Sequence, residues 1–347
     1  MKYQMQDENI LVWLPSPMGD AVLCTPALRA VRRHFESSKI TFYANSVVRQ
    51  VLSPGCFNDV WLEQKDKNPF KIAQKFSEHK FTSAVLFKNS FASALTSFLA
   101  AIPSRIGYAR EGRGFLLTEK LYPPKLSATG FKPFSMIDYY LAIASWLGCD
   151  TSDRSLELLI DSQAGENLKA KLPELAETDG PIVVLVPGGA FGPSKCWLSE
   201  RFAQTADWLI DNYRATVVVS VSPIAAEKRI ADEICSSSGN KLINLAERPL
   251  SLGELKSLFS IAALVITNDT GPRHIAKALQ CKIISLFGPN NPAWTESEYQ
   301  NEIQIIGEAP CVPCDRPVCK RKEHLCMQAI TVEMVCEAAG KLLEKAR

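Results

Sequence analysis

The sequence predicts an α/β protein made of two doubly wound domains with parallel sheets, and three observations carry that expectation. Short apolar runs alternate with amphipathic helical patterns, the alternation occurs in two series, and a charged stretch bounded by Pro173 and Pro181 separates them. A length of 347 residues suits two domains of roughly 100–200 residues each.

The first series opens with an apolar strand at 10–14, then the loop 15–20, a helical stretch at 21–35 and a strand at 40–44. A buried strand at 83–87 and an apolar helix near 91–101 follow. The second series opens with Ile182-Val-Val-Leu-Val186, continues through a helix after Trp197, a strand at 216–220, a helix near 225–234, and strands at 264–267 and 282–286. The linker is placed in 158–180. The expected domains are therefore 1–165 and 175–330, with 331–347 a C-terminal helix that could pack back on the N-terminal domain. Doubly wound sheets bind ligands at the carboxyl ends of their strands, so the cleft between the halves is the expected active site.

Composition narrows the class. With 46% hydrophobic and 22% charged residues, disorder and fibrous structure are excluded. The net charge of +2 leaves no overall field of the kind non-specific nucleic-acid binding uses. Charge is uneven, however: residues 1–160 carry 19 basic and 14 acidic side chains, and 161–347 carry 20 and 23. That asymmetry points to an anionic partner for the first half. Eleven cysteines, scattered through core and loops, fit a reducing, cytoplasmic compartment better than a disulfide framework. The start at 1–10 lacks a signal peptide's apolar stretch, and membrane contact is expected to be peripheral at most.

Three strand-to-helix loops hold candidate chemistry. In Gly19-Asp20, the glycine suits a tight turn with positive φ and Asp20 is placed to cap a helix starting at Ala21. Alternatively its carboxylate accepts a proton from an attacking hydroxyl, kept ionised by the helix N-terminus. The loop Pro187-Gly-Gly-Ala-Phe-Gly-Pro-Ser-Lys-Cys-Trp197 lacks G-x4-G-K-[ST] spacing, which excludes a P-loop. It presents Lys195, either as a surface lysine or as an ammonium against a diphosphate. In Thr267-Asn-Asp-Thr-Gly-Pro-Arg-His274, Asp269 or Thr270 can cap the next helix, Pro272 suits its first turn, and exposed N–H groups make a pyrophosphate cradle. His274 could meet phosphate, an acceptor sugar or a neighbouring carbonyl. The turn Phe287-Gly-Pro-Asn-Asn-Pro292 closes the next strand at the same edge. No G-x-G-x-x-G follows a strand, which disfavours a nicotinamide dehydrogenase.

Taken in order, Gly19-Asp20 with Thr25-Pro-Ala-Leu-Arg29, Phe191-Gly-Pro-Ser-Lys-Cys-Trp197, Asn268-Asp-Thr-Gly-Pro-Arg-His274 and Phe287-Gly-Pro289 resemble the ADP-heptose:lipopolysaccharide heptosyltransferases (glycosyltransferase family 9), closest to the heptosyltransferase II branch. The resemblance runs from the first strand to about Ile330. It implies a GT-B fold, two Rossmann-like domains facing across a cleft, and inverting transfer from ADP-heptose to a hydroxyl of the lipopolysaccharide inner core, a lipid A-linked acceptor met at the inner face of the inner membrane. It implies Asp20 as general base and Lys195 as the lysine that stabilises the leaving diphosphate. Gly19, Glu227, Leu250, Asp269, Thr270, Gly271 and His274 form the implied donor-binding set, with Glu227 on the ribose hydroxyls and Leu250 against adenine.

Two positions depart from the family pattern. Val221 stands where a glycine is expected, and Arg273 where an apolar residue is usual, an extra cation that could reach phosphate or solvent. They leave open a GT-B glycosyltransferase with a different nucleotide sugar or acceptor. A catalytically silent nucleotide-sugar-binding protein is the other alternative, against which stand both Asp20 and Lys195. No Asp-x-Asp motif occupies these loops, so no catalytic metal and no cofactor are expected. Because the implied acceptor carries carboxylates and phosphates, Lys88, Arg105, Arg110 and Arg113 are candidate acceptor contacts, with a solvated charged face as the plainer reading. The cluster Cys311, Cys314, Cys319 and Cys326 could hold a structural Zn2+, although reduced cysteines in a packed loop are favoured.

Overall fold

Each series folds into a six-stranded parallel sheet, and the two sheets share one strand order. The computed structural model describes residues 9–125, 131–321 and 323–344; the opening segment 1–8, read above for a leader, lies outside them. The chain divides into unit 1, residues 1–159 with 293–297, and unit 2, residues 160–292 with 298–347.

Unit 1 runs β1 (Asn9–Trp13), α1 (Met18–Leu23), α2 (Thr25–His34), β2 (Lys39–Ala44), α3 (Ser46–Leu52), β3 (Val60–Glu63), α4 (Pro69–His79), β4 (Ser83–Leu86), α5 (Phe91–Leu99), β5 (Ser104–Tyr108), β6 (Glu119–Leu121) and α6 (Met136–Trp146). Its sheet order is β3-β2-β1-β4-β5-β6. The single helix expected over 21–35 is two. Pro26 has no N–H to donate to the Val22 carbonyl four residues back, so the ladder stops. The Thr25 hydroxyl donates to that carbonyl instead, at 2.8 Å. β1 is buried on both faces, as parallel strands crossed by helices must be. On one face Trp13 meets Tyr43 and Phe76 edge to face, with centroids 4.8 and 5.7 Å apart, and Phe76 meets Phe81 at 5.8 Å.

Unit 2 runs α7 (Ser162–Lys171), β7 (Ile182–Val186), α8 (Ser199–Tyr213), β8 (Thr216–Val219), α9 (Ala225–Ser237), β9 (Ile243–Asn244), α10 (Leu252–Ile261), β10 (Leu264–Asn268), α11 (Gly271–Ala278), β11 (Ile283–Phe287), β12 (Glu302–Ile306), α12 (Leu325–Ala329) and α13 (Val332–Glu344). Its order is β12-β11-β10-β7-β8-β9. In both sheets the order reverses beside the first strand, between β1 and β4 and between β7 and β10. Loops at such a switch point diverge to opposite faces and leave a crevice.

Two domain expectations change. α7, placed in the linker from its charge, packs on α10: Lys171 pairs with Glu254 at 2.8 Å, and Gly253 leaves room for Ala164. The C-terminal helix, expected to pack on the N-terminal domain, clusters with unit 2. The apolar face of α13, with Val335, Ala339 and Leu342, joins the core of unit 2 with Phe202, Leu264 and Ile284. Residues 293–297 belong to unit 1 instead, where the Ser135 hydroxyl donates to the Glu296 carbonyl at 2.6 Å. Strands β3, β5, β6, β9 and β12 escaped the sequence reading because they are short and only partly apolar. Among the described residues no helix is long and apolar enough to cross a membrane.

Phe76 is fully buried against three aromatic rings. Phe76→Ala is expected to destabilise unit 1 by about 3–5 kcal/mol, which urea unfolding followed by tryptophan fluorescence measures.

Candidate active site

In unit 1, the loop after β1 delivers Asp20 into the first turn of α1. Asp20 does not cap that helix: α1 starts at Met18, its N-cap is Pro17, and no side chain caps it. Gly19 is helical and lacks the positive φ expected of it. The Asp20 carboxyl lies near Tyr140 and Cys24, and burial pushes its pKa up to about 6 from 3.8. Desolvation therefore outweighs the helix-dipole preference for the ionised form.

The loop after β4 brings Lys88, whose Nζ donates to Ser16 Oγ at 2.7 Å; burial lowers its pKa. After β5, the Arg110 guanidinium lies 4.2 Å over the Phe131 ring. Arg110 Nε is buried, and the Arg110 and Asn89 side chains face the Tyr139 hydroxyl, offsetting part of the rise that burial gives its pKa.

In unit 2, the loop after β7 wraps around the loop after β10. Asn268 ties them together: its Nδ2 donates to the Pro187 carbonyl at 2.6 Å and its Oδ1 accepts from Trp197 N at 3.3 Å. Lys195 Nζ donates to the Asp269 carbonyl and to Asp269 Oδ2, both at 2.8 Å, and sits 4.7 Å over the Phe191 ring. With 8% of its surface exposed it is no surface lysine. Burial acts to raise the Asp269 pKa, but the Lys195 and Arg273 cations outweigh it and hold the carboxyl below its ordinary value. Thr270 is the N-cap of α11 by backbone geometry, with Gly271 and Pro272 opening the helix and no side chain satisfying its first-turn N–H groups. Glu227, in the first turn of α9, accepts from Gly189 N at 3.2 Å and Ser222 N at 2.9 Å. A Cβ at Gly188 would lie 2.4 Å from the Glu227 carboxyl carbon, so a side chain there would displace the carboxylate. His274 is buried, its Nδ1 lacks a partner, and burial holds its pKa well below 6.5, so it is neutral.

The profile of glycosyltransferase family 9 (heptosyltransferase) matches residues 70–325, most of both units. The chain belongs to glycosyltransferase family 9. It is 24% identical over 340 residues to the lipooligosaccharide heptosyltransferase 2 of Campylobacter jejuni strain 81116, covering 96% of this chain and 99% of that protein. It is 27% identical over 302 residues to the lipopolysaccharide heptosyltransferase 2 of Escherichia coli K12, covering 83% and 84%. Its fold matches the solved structure of the E. coli ADP-heptose lps heptosyltransferase II with a TM-score of 0.79 at 24% identity, over 97% of this chain and 99% of that one. Two α/β units with parallel sheets are the components of the GT-B architecture the motifs implied.

Several expected site residues of this family 9 chain have other work. Arg105 stands at the amino end of β5, away from the carboxyl-end loops; its Nε donates to the Leu116 carbonyl at 2.7 Å, and it lies 5.5 Å from the Phe98 ring. Arg113 is fully buried and donates to Ser93 Oγ, Asn89 Oδ1 and the Tyr108 carbonyl at 2.9–3.0 Å. It is a strut for the loop carrying Lys88. Arg273 reaches neither phosphate nor solvent: it is buried on Asp269 and Glu302, 4.6 Å over the Phe287 ring. Val221 is buried in the core of unit 2. Leu250 is half-buried just ahead of the α10 capping box, with nothing in its surroundings to set it apart.

Among the described residues no group of three His, Cys, Asp or Glu side chains is arranged to hold an ion, although Cys326 lies near enough to Cys311, Cys314 and Cys319 for them to add to the rise that burial gives its pKa. The segment bearing these cysteines braces the Lys195 loop, since Ser194 N donates to the Pro317 carbonyl at 3.2 Å and Ser194 Oγ to that of Arg316. Gly192, at φ 148°, has no room for a Cβ against that same Pro317 carbonyl. Sequence reasoning missed Asn268 as a tie, Tyr139 and Tyr140 beside the acidic loop, and Glu302 and Lys277 beneath Asp269. The first stood inside a recognised motif; the others had no local signal.

Asp20 also marks a pH-dependent stability term. It is neutral folded and unfolded below about pH 4 and ionised in both states above about pH 6, so its burial penalty is felt in full only above pH 6. Asp20→Asn is therefore expected to raise stability by roughly 2–3 kcal/mol at pH 8 and by little at pH 4, read from thermal melts at the two pH values.

Proposed function

We propose that this family 9 chain is an inverting, metal-independent glycosyltransferase that moves heptose from ADP-heptose to the inner core of lipopolysaccharide. In this reading it works in the cytoplasm, on a lipid A-linked acceptor at the inner membrane surface. The observation that carries the donor assignment is the buried Lys195 ammonium held beside the uncapped N-terminus of α11. Cation and N–H groups together suit the charge that builds on a departing diphosphate. Family membership and the names of the relatives support heptose as the sugar. Arg273 and Val221, the two departures that left another donor open, are both buried in the core.

Unit 1 supplies the acceptor half of the reaction. An acceptor hydroxyl attacks the anomeric carbon while its proton passes to the Asp20 carboxylate. The bond from that carbon to the diphosphate oxygen breaks, and ADP leaves with the electron pair. Attack opposite the leaving group inverts the centre. A base with a pKa of about 6 is ionised at neutral pH yet more basic than an ordinary aspartate. Lys88 and Arg110, at the same end of the sheet, are the cations that suit carboxylates and phosphates on the inner core. Glu227, fixed by two backbone N–H groups, keeps acceptor capacity for ribose hydroxyls.

ADP release from ADP-heptose with an inner-core acceptor, set against UDP- and GDP-sugars, tests the assignment. Asp20→Asn is expected to lower kcat on the order of 10²–10⁴-fold with ADP affinity little changed, whereas Lys195→Ala weakens ADP binding and turnover together. An unaltered rate in the first variant, or unaltered ADP binding in the second, would refute the roles given. The wild-type rate is expected to rise with pH through about 6 as Asp20 loses its proton. Turnover is expected to persist in EDTA, and its loss, restored by a divalent cation, would overturn the metal-independent reading.

A further inference from the structure

Beneath the Lys195 loop lies a chain of alternating charges. Lys195 Nζ is 2.8 Å from Asp269 Oδ2, and Asp269 Oδ1 is 3.2 Å from the Arg273 guanidinium. Arg273 Nε is 2.6 Å from Glu302 Oε1, and Glu302 Oε2 is 2.8 Å from Lys277 Nζ. Ser285 Oγ adds a bond to the same Glu302 oxygen and accepts one from Arg273 Nε. The side chains of Arg273, Glu302 and Lys277 are at most 2% exposed. Of these five residues three are cations and two carboxylates, and Arg273 and Lys277 make further interactions of their own.

A buried charge is tolerated only where paired groups offset it, so the pairing along this chain matters to each member. One end is fixed, because Lys277 sits inside α11 against β12. The other end is Lys195, on a short 3-10 turn that opens the loop facing the α11 N-terminus. Asp269 divides its two oxygens between Lys195 and Arg273, so it stays paired when Lys195 turns to another anion. Among the described residues the ion pairs of Asp269 are those with Lys195 and Arg273, so without Arg273 it would hold Lys195 against any competitor.

We propose that Arg273, Glu302 and Lys277 are positioning residues that set the affinity of the unit 2 loop for a nucleoside diphosphate through the charge balance of this chain, without touching the nucleotide. Arg273 lets Asp269 release Lys195, and Glu302 limits how much positive charge the chain presents. This rests on the donor reading above and deepens it.

The test is ADP affinity by calorimetry in low salt for Arg273→Met, Glu302→Gln and the double variant, beside donor KM and kcat. Arg273→Met removes one positive charge and is expected to weaken ADP about tenfold, with donor KM carrying most of the change. Glu302→Gln removes one negative charge and is expected to bind ADP as tightly as the wild type or more tightly. The double variant restores the original balance and is expected to return to within about threefold of the wild type. All three should melt at lower temperature. A merely structural network predicts another pattern, in which affinity falls in both single variants and furthest in the double one. That pattern overturns the proposal. If Arg273→Met does not fold, Glu302→Gln decides alone: weaker ADP binding in that variant overturns it. If the wild type binds UDP or GDP in place of ADP, the donor reading fails and the same variants test the charge rule with that nucleotide. Binding of no nucleoside diphosphate overturns both.

Discussion

Asp269 emerges at the carboxyl end of β10 with a cation on each of its oxygens, and the donor half-site is assembled around that carboxylate. Through Oδ2 and its own carbonyl it anchors Lys195, and so draws the loop after β7 over the loop after β10. Through Oδ1 it is tied to Arg273 and, beyond that, to β12. Buried charges are tolerated only when paired and hydrogen-bonded. The burial of Lys195 therefore depends on Asp269, and the place of Arg273 beneath α11 depends on Glu302.

Asp269 is buried and Asp20 partly so, and their surroundings push the two aspartates in opposite directions. For Asp20 desolvation is the cause of the shift and lifts its pKa to about 6, into the range useful to a base. Asp269 has two cations beside it and stays below the ordinary carboxylate value. One is suited to exchange a proton and the other to remain a fixed charge. Environment alone assigns the roles, since the side chains are chemically the same.

Glycines at the donor loop follow from the same crowding. At Gly188 the Glu227 carboxylate fills the space a side chain would take, and Gly192 is required because the cysteine-bearing segment presses a carbonyl against it. The thiols of that segment form no metal-holding group among the described residues, yet its backbone braces the turn that presents Lys195.

The sequence alone determined the doubly wound class, the two series of strands, and the loops carrying Asp20, Lys195 and Asp269, whereas Glu227 came only through the family resemblance. The former are local signals: apolar runs, helical periodicity, and turn residues at the junctions between them. It could not sort one arginine from another. Arg105 and Arg110 lie five residues apart, yet β5 runs between them, leaving one at the amino end of the sheet and the other beside Tyr139. Arg113 read as an acceptor contact or a solvated cation and Arg273 as a cation reaching phosphate or solvent, because groups that hold them come from segments distant in sequence: Lys88, Asn89 and Ser93 for one, Glu302 for the other. Whether α13 stays with unit 2 was likewise decided by which apolar face it could cover. A charge shows its character in the sequence, but its energy depends on what lies within a few ångströms, and only the folded chain sets that.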